Sequence, residues 1–300
     1  QKWTLFPYTT LFRSLHPNNQ IKNSKKTLSY NEWLNKLGYD GPNPWNDWAN
    51  SAEGENGEIL SGWRLRNSNK PARIPEEHSE TAFMTNRAME FIEESKDKSW
   101  FVHLSYIKPH WPYMAPAPYH NMYSANEFYP VHRNDAERNN DHPVYKAFME
   151  NSISKTFSKD EVRNTVLAGY MGLIKQIDDN LGRLFKFLES SGHMDDTMIV
   201  FTSDHGDYQG DHWLGEKELF HEQSVRVPMI IYDPSDYANK TRGTKEERFI
   251  EAIDLLPTFL DAVESPTSKH RLEGDSLMPL LKGESRSEER RVGKECPLLC

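Results

Sequence analysis

The strongest constraint in the chain is an apolar stripe of helical period. Val162, Leu167, Tyr170, Met171, Ile174, Ile177, Leu181, Leu184, Phe185 and Leu188 recur at i, i+3, i+4 and i+7. Ser158 precedes the stripe with Glu161 three residues on, a capping-box spacing, and Gly192 stands where a helix would stop. The spacing predicts one long amphipathic helix. It is followed at once by the apolar run of residues 197–202, which reads as a buried strand. A helix delivered straight into a buried strand is the crossover element of an α/β fold. Other stretches repeat the theme. Helical spacing from Glu80 to Ser95 leads into a β-rich run at 100–107, a second apolar run occupies 227–232, and residues 253–263 read as a short amphipathic helix. The expected fold is therefore α/β: a mostly parallel sheet sandwiched between helices.

The remaining stretches are less regular. Residues 15–70 read as polar and aromatic loops, with one short helix at 30–37 ended by Gly38. Trp45, Trp48 and Trp63 either line a pocket there or pack. Residues 116–151 also read as loop. The two ends are of another kind: one codon choice for Arg286 to Cys296 has a reverse complement that translates as Thr4 to Ser14, TLFPYTTLFRS. Physics gives two ends of a protein no reason to be opposite-strand readings of one DNA piece. Residues 1–14 and 286–300 are therefore expected to be sequencing-adapter sequence, and are set aside from fold reasoning. The expected domain is 15–285, a partial catalytic domain. Both cysteines, Cys296 and Cys300, fall outside it, so cysteine usage is silent on redox compartment. The compartment, cytoplasmic or periplasmic, stays open, as does oligomeric state. With 36 Lys+Arg against 45 Asp+Glu the formal net charge is −9, which argues against nucleic acid as the main partner. No run of 18 apolar residues exists, so no membrane span is expected.

In open α/β sheets, sites form beyond the carboxyl ends of strands. Asp204 and His205 follow the 197–202 run and precede Gly206, a carboxylate and an imidazole at a strand end. Such a pair reads either as metal ligands or as a solvated loop. His110 lies just past the 100–107 run, where Pro109 ends strand pairing, and reads either as a site residue or as an ordinary loop histidine. Lys217 sits in Gly215-Glu216-Lys217. A mixed oxygen and nitrogen donor set favours Mn²⁺ or Zn²⁺, with Ca²⁺ and Mg²⁺ still open. A lysine and a second histidine beside a metal supply positive charge and a proton donor. The reaction class this suggests is metal-assisted hydrolysis of a small anionic ester.

The stretch FTSDHGDYQGDHWLGEKELFHEQSVRVPMII resembles the signature of the sulfatase branch of the alkaline phosphatase-like superfamily. PHWPY, the helix GYMGLIKQIDDNLGRLFKFLESSG, DLLPTFLDAV and GDSLMPLL agree in order, and LSYIKPHWPYMAPAPYH is similar to the pattern of phosphonate monoester hydrolases with arylsulfatase activity. The resemblance implies an alkaline phosphatase-like fold, here incomplete, with Asp204 and His205 as metal ligands. It implies that Lys217 and His110 contact the substrate's anionic group or leaving oxygen. It also implies a formylglycine nucleophile made from the cysteine of a C-x-P-x-R motif, which this sequence lacks. That nucleophile and the first acidic metal ligands are expected upstream of these residues, so the 300 residues alone are expected to hydrolyse nothing. Two alternatives accompany this reading: a phosphatase or phosphodiesterase of the same superfamily with a Ser or Thr nucleophile, and a catalytically dead binding homologue. His212 and His221, near the Asp204-His205 pair, read either as a zinc cluster or as ordinary neighbours; the resemblance gives them no ligand role and places them nearby or at the surface. Asp207 is expected to orient a neighbour and Arg226 to form a structural ion pair. Asp178 and Asp179 are expected on the long helix, either facing solvent or capping a neighbour. Trp111 and Tyr113 either wall the pocket or pack.

Overall fold

Ser29 opens the first helix of the computed structural model, which describes residues 29–124, 128, 130–139, 142–265 and 272–284. The expected adapter segments, 1–14 and 286–300, lie outside the described residues. Ser29 and Glu32 each accept the other's backbone N–H, a capping box that starts α1, Tyr30–Lys36. Gly38 ends the turn at φ +93°, a conformation glycine adopts without a Cβ penalty. A short π-turn, Trp45–Ala49, leads into an antiparallel hairpin of β1, Ser51–Glu53, and β2, Ile59–Ser61. Next comes α2, Glu80–Glu94, capped by the Ser79 hydroxyl on the Ala82 amide at 3.1 Å. Three helices follow: α3, Pro143–Glu150, α4, Ser152–Phe157, and the stripe helix α5, Asp160–Ser190. The chain continues as β3, Ile199–Thr202, then α6, Glu222–Val225, then β4, Met229–Tyr232. The last helices are α7, Leu255–Ala262, and α8, Met278–Leu281.

Among the described residues, these elements sort into two units, one within 29–187 together with His205–Arg226 and one of Leu188–Asp204 together with described residues of 227–284. In the first unit, α1 and α2 enclose a cluster of Tyr30, Leu34, Trp45, Ile74, Phe83 and Met84. A second cluster joins Leu65, Tyr113, Tyr119 and Phe157 to Val166 and Leu173 of α5. Each fully buried side chain of this size contributes about 1.5–3 kcal/mol. Polar bonds fix how α5 meets the start of α2: Gln176 donates to the Ser79 hydroxyl at 2.7 Å and Asn180 to the Glu76 carboxylate at 2.8 Å. The buried side of α5 includes Gly172, which lets the Tyr119 carbonyl approach so closely that a Cβ would lie 2.1 Å from its oxygen.

In the second unit β3 and β4 pair antiparallel with Val200 opposite Ile231, and the Thr202 hydroxyl donates to the Pro228 carbonyl at 2.9 Å. Buried Asp254 accepts the amides of Glu251 and Asp275, both at 3.0 Å, and so ties the start of α7 to the segment before α8.

The structure departs from the sequence expectations in three places. Residues 100–107 form no ladder with any described strand, because a β-rich run becomes a strand only beside a partner whose backbone groups it can pair. Residues 143–150, within the stretch read as loop, form α3, and α4 follows at 152–157, where the sequence predicts no element; Pro143 begins α3 and the Asn151 side chain caps α4 on the Ser154 amide. Both described sheets are two-stranded and antiparallel. The parallel neighbours expected of an α/β sheet are not among the described strand pairs.

Candidate active site

His205–Arg226 is a looped excursion whose ends are drawn together. The Gly206 amide donates to the Ser224 carbonyl at 2.7 Å, and the Tyr208 amide to the Glu216 carbonyl at 2.8 Å. A Cβ on Gly206 would stand 2.0 Å from the Gln223 carbonyl oxygen, so only glycine permits this approach. Tyr208 and Leu214 are buried against Tyr145 of α3. Arg163 of α5 donates to the Gln209 carbonyl at 3.0 Å, and the Gly215 amide donates to Ser154 of α4 at 3.1 Å. Helix α3, read as loop from sequence, and helix α4 are thus part of the scaffold of the candidate site.

On this scaffold the structure brings together His110, His205 and Lys217. Lys217 Nζ lies 2.7 Å from His110 Nε2, and the His110 and His205 rings meet edge to face with centroids 6.0 Å apart. An ammonium can only donate, so His110 Nε2 accepts. Its Nδ1–H then donates to the Trp111 carbonyl, 2.7 Å away. One tautomer of neutral imidazole satisfies both contacts. Burial holds His110 below its ordinary value, the Trp111 carbonyl works the other way, and the Lys217 charge lowers it further. Asp204 lies one peptide bond before His205, immediately after the Ser203 that follows β3, and the division between the units falls on that bond.

The donor chemistry of Asp204 and His205 suits a divalent metal in part. His205 Nδ1 lies 2.7 Å from the Gly206 carbonyl; as the donor there, it leaves the lone pair on Nε2, the arrangement typical of a ligating histidine. Among the described residues, no group of three or more His, Cys, Asp or Glu side chains converges as a metal site. The pair therefore fits as a fraction of a coordination shell.

The surrounding residues sort as follows. Tyr113, 1 % exposed, packs and also donates to Asp207 at 2.7 Å. Asp207 accepts the Gln209 amide at 3.0 Å, and Gln209 Nε2 donates to Tyr113 Oη at 3.1 Å. Burial raises the Asp207 carboxyl, and the Tyr113 bond opposes that rise. His212 and His221 stack on each other with centroids 4.1 Å apart; His212 Nδ1 meets Glu137 at 2.9 Å and His221 Nδ1 meets Tyr208 at 2.8 Å. Trp45 is buried in the core, whereas Trp63 stays 41 % exposed with its ring edge-on to Trp111, centroids 5.0 Å apart. Arg226 pairs with Glu222 at 3.4 Å on the surface. Asp179 accepts from Tyr119 at 2.9 Å and also pairs with Lys175, as Asp178 does at 3.1 Å. Sequence reasoning passed over two groups. Burial and the neighbouring Glu218 push Glu216, next to Lys217, up to about 7. Lys108 is buried two residues before His110; its only signal was its place in KPHWPY.

The family model described as Sulfatase matches residues 5–265. The multifunctional alkaline phosphatase superfamily protein PehA of Trinickia caryophylli is 39% identical over 228 residues, which is 71% of this chain and 43% of that protein. An arylsulfatase of Clostridium perfringens is 29% identical over 241 residues, 78% of this chain and 49% of that protein. Among solved structures, the phosphonate monoester hydrolase of Silicibacter pomeroyi superposes with a TM-score of 0.72 at 31% identity, covering 86% of this chain and 51% of that one. That of Agrobacterium radiobacter gives 0.73 at 28% identity, with 86% and 51% covered. The chain thus spans about half the length of these relatives. No described helix is long and apolar enough to cross a membrane.

Proposed function

The chain belongs to the sulfatase family, and from that premise we propose that His110, Lys217, Asp204 and His205 form the charge- and proton-handling part of a hydrolase for sulfate or phosphonate esters. The observation that carries the reading is the 2.7 Å contact of Lys217 with His110. The ammonium supplies the fixed positive charge that an anionic ester group requires. The Nζ–H···Nε2 pair holds a transferable proton, and the Trp111 carbonyl keeps the imidazole aimed along that line. A leaving oxygen that reaches the pair takes the proton as its bond to sulfur or phosphorus breaks. Asp204 and His205 would hold a divalent ion, Mn²⁺ or Zn²⁺ by preference, together with ligands from other parts of the polypeptide. When bound, that ion polarises the ester oxygens and neutralises charge on the group being transferred. The nucleophile belongs to a C-x-P-x-R segment that this sequence does not contain. The names of the relatives, an arylsulfatase and phosphonate monoester hydrolases, support a small anionic ester as substrate.

The test extends these 300 residues to the full length of the relatives and assays 4-nitrophenyl sulfate and a phenylphosphonate monoester. His110→Ala and Lys217→Ala should each lower kcat/KM by about 10²–10⁴. The loss from His110→Ala should shrink as the leaving group becomes more acidic. Full activity in either variant would contradict the assignment.

A further inference from the structure

Behind the loop that presents His110 lies a cavity of about 10 Å³. Its polar wall is made by Asn50, Ser79, Glu80, Thr81, Lys108 and Gln176. Two of these carry opposite charges away from solvent: Glu80 is 4 % exposed and Lys108 is 7 % exposed. They are not in direct contact as an ion pair. Glu80 Oε2 accepts the Trp45 indole N–H at 2.8 Å, while Glu80 Oε1 is buried with no partner. The Lys108 ammonium donates to Asn50 Oδ1 at 2.7 Å and to the Pro112 carbonyl at 2.5 Å. An ammonium has three N–H groups, so one remains for a further acceptor.

One unmet acceptor, one remaining donor and a space lined by both residues define the guest. Water needs roughly 10–15 Å³ of such space and at least two polar partners. We propose that this cavity is a binding site for a single structural water that donates to Glu80 Oε1 and accepts from Lys108, and that the bridged pair positions the 108–113 loop carrying His110. A buried carboxylate without a second donor is costly, and so is a buried ammonium without a counter-charge. The water completes both at once. Because Lys108 also grips the Pro112 carbonyl, its place sets the chain on either side of His110. The water site stands on the geometry alone, whereas its value to catalysis rests on the role proposed for His110.

The test uses the full 300-residue chain and reads no activity, so its failure is separate from failure of the hydrolase reading. A crystal structure that resolves single waters should show one within hydrogen-bond reach of both Glu80 Oε1 and Lys108 Nζ. Amide hydrogen exchange should then show the positioning. The His110 and Met114 amides are bonded to the Ile107 and Pro112 carbonyls. In Glu80→Leu and in Lys108→Met, exchange at these two amides should quicken at least tenfold, while Leu173 and Ile177 on α5 stay within twofold. Glu80→Gln keeps a polar group that can bond the water, so it should stay within threefold of the parent and provides a readout if the apolar variants do not fold. An empty cavity, exchange unchanged in both apolar variants, or acceleration spread equally to α5 would overturn the proposal.

Discussion

Tyr113 joins the two loops of the candidate site through a single side chain. Its hydroxyl donates to half-buried Asp207 and accepts from Gln209. Tyr113→Phe keeps the packing volume but removes a donor from a desolvated carboxylate, which should cost about 1–3 kcal/mol. Urea unfolding measures that loss, and adding Asp207→Asn should recover part of it, since the neutral amide tolerates burial better. Lys108 gives a pH signature. Burial lowers it from 10.5 to about 8 in the folded chain, and Glu80 opposes the shift. Between these values the unfolded state holds the proton more firmly, so unfolding free energy rises with pH there. The protonated lysine is a full burden below about 8, and the burden lifts by 10.5. Relative to Lys108→Met, the parent should gain stability across this window, on the order of 3 kcal/mol in all. At this scale the sequence disclosed residue types better than partners. Asp204, His205, His110 and Lys217 stood out from strand ends and motif company. Lys108 and Glu80 lie 28 positions apart in sequence and meet only in the fold, so no local pattern joined them.

Among the elements, α5 was the most legible because its periodic stripe runs for many turns. The short helices α3 and α4 were missed, since a few residues of period cannot outweigh surrounding Asn, His and Pro. Residues 100–107 show the opposite failure: strand chemistry is local, but a strand also needs a neighbour. Helix α5 also offers a contest of signs at Gly172. On helix propensity alone, Gly→Ala in a helix interior should stabilise by about 1 kcal/mol. The added Cβ, however, would lie 2.1 Å from the backbone oxygen of Tyr119, where no flexible side chain can yield. Overpacking of this kind costs about 1–3 kcal/mol, so Gly172→Ala should be destabilising on balance. Gly182, whose Cβ would meet nothing, is the control: there the same change should stabilise. Thermal melts of the two variants should move in opposite directions.

At the scale of the whole molecule, the chain matches about half the length of its relatives. It contains no C-x-P-x-R segment, and no three-ligand metal cluster occurs among the described residues. The 300 residues alone should therefore give no turnover of 4-nitrophenyl sulfate above buffer, even with added Mn²⁺. The fold class was legible from helix and strand alternation. Strand order was not, because it depends on pairing between segments distant in sequence. The central claim is that Asp204 and His205 are metal ligands beside the Lys217–His110 pair. It is tested most directly by titrating Mn²⁺ into the chain with isotope-labelled histidine side chains and following paramagnetic broadening, which registers even weak binding. His205 should broaden first and His110, with its ring centroid 6.0 Å away, next. Asp204→Ala should abolish both effects. Broadening that begins at the stacked His212 and His221, or that leaves His205 sharp, would contradict the account.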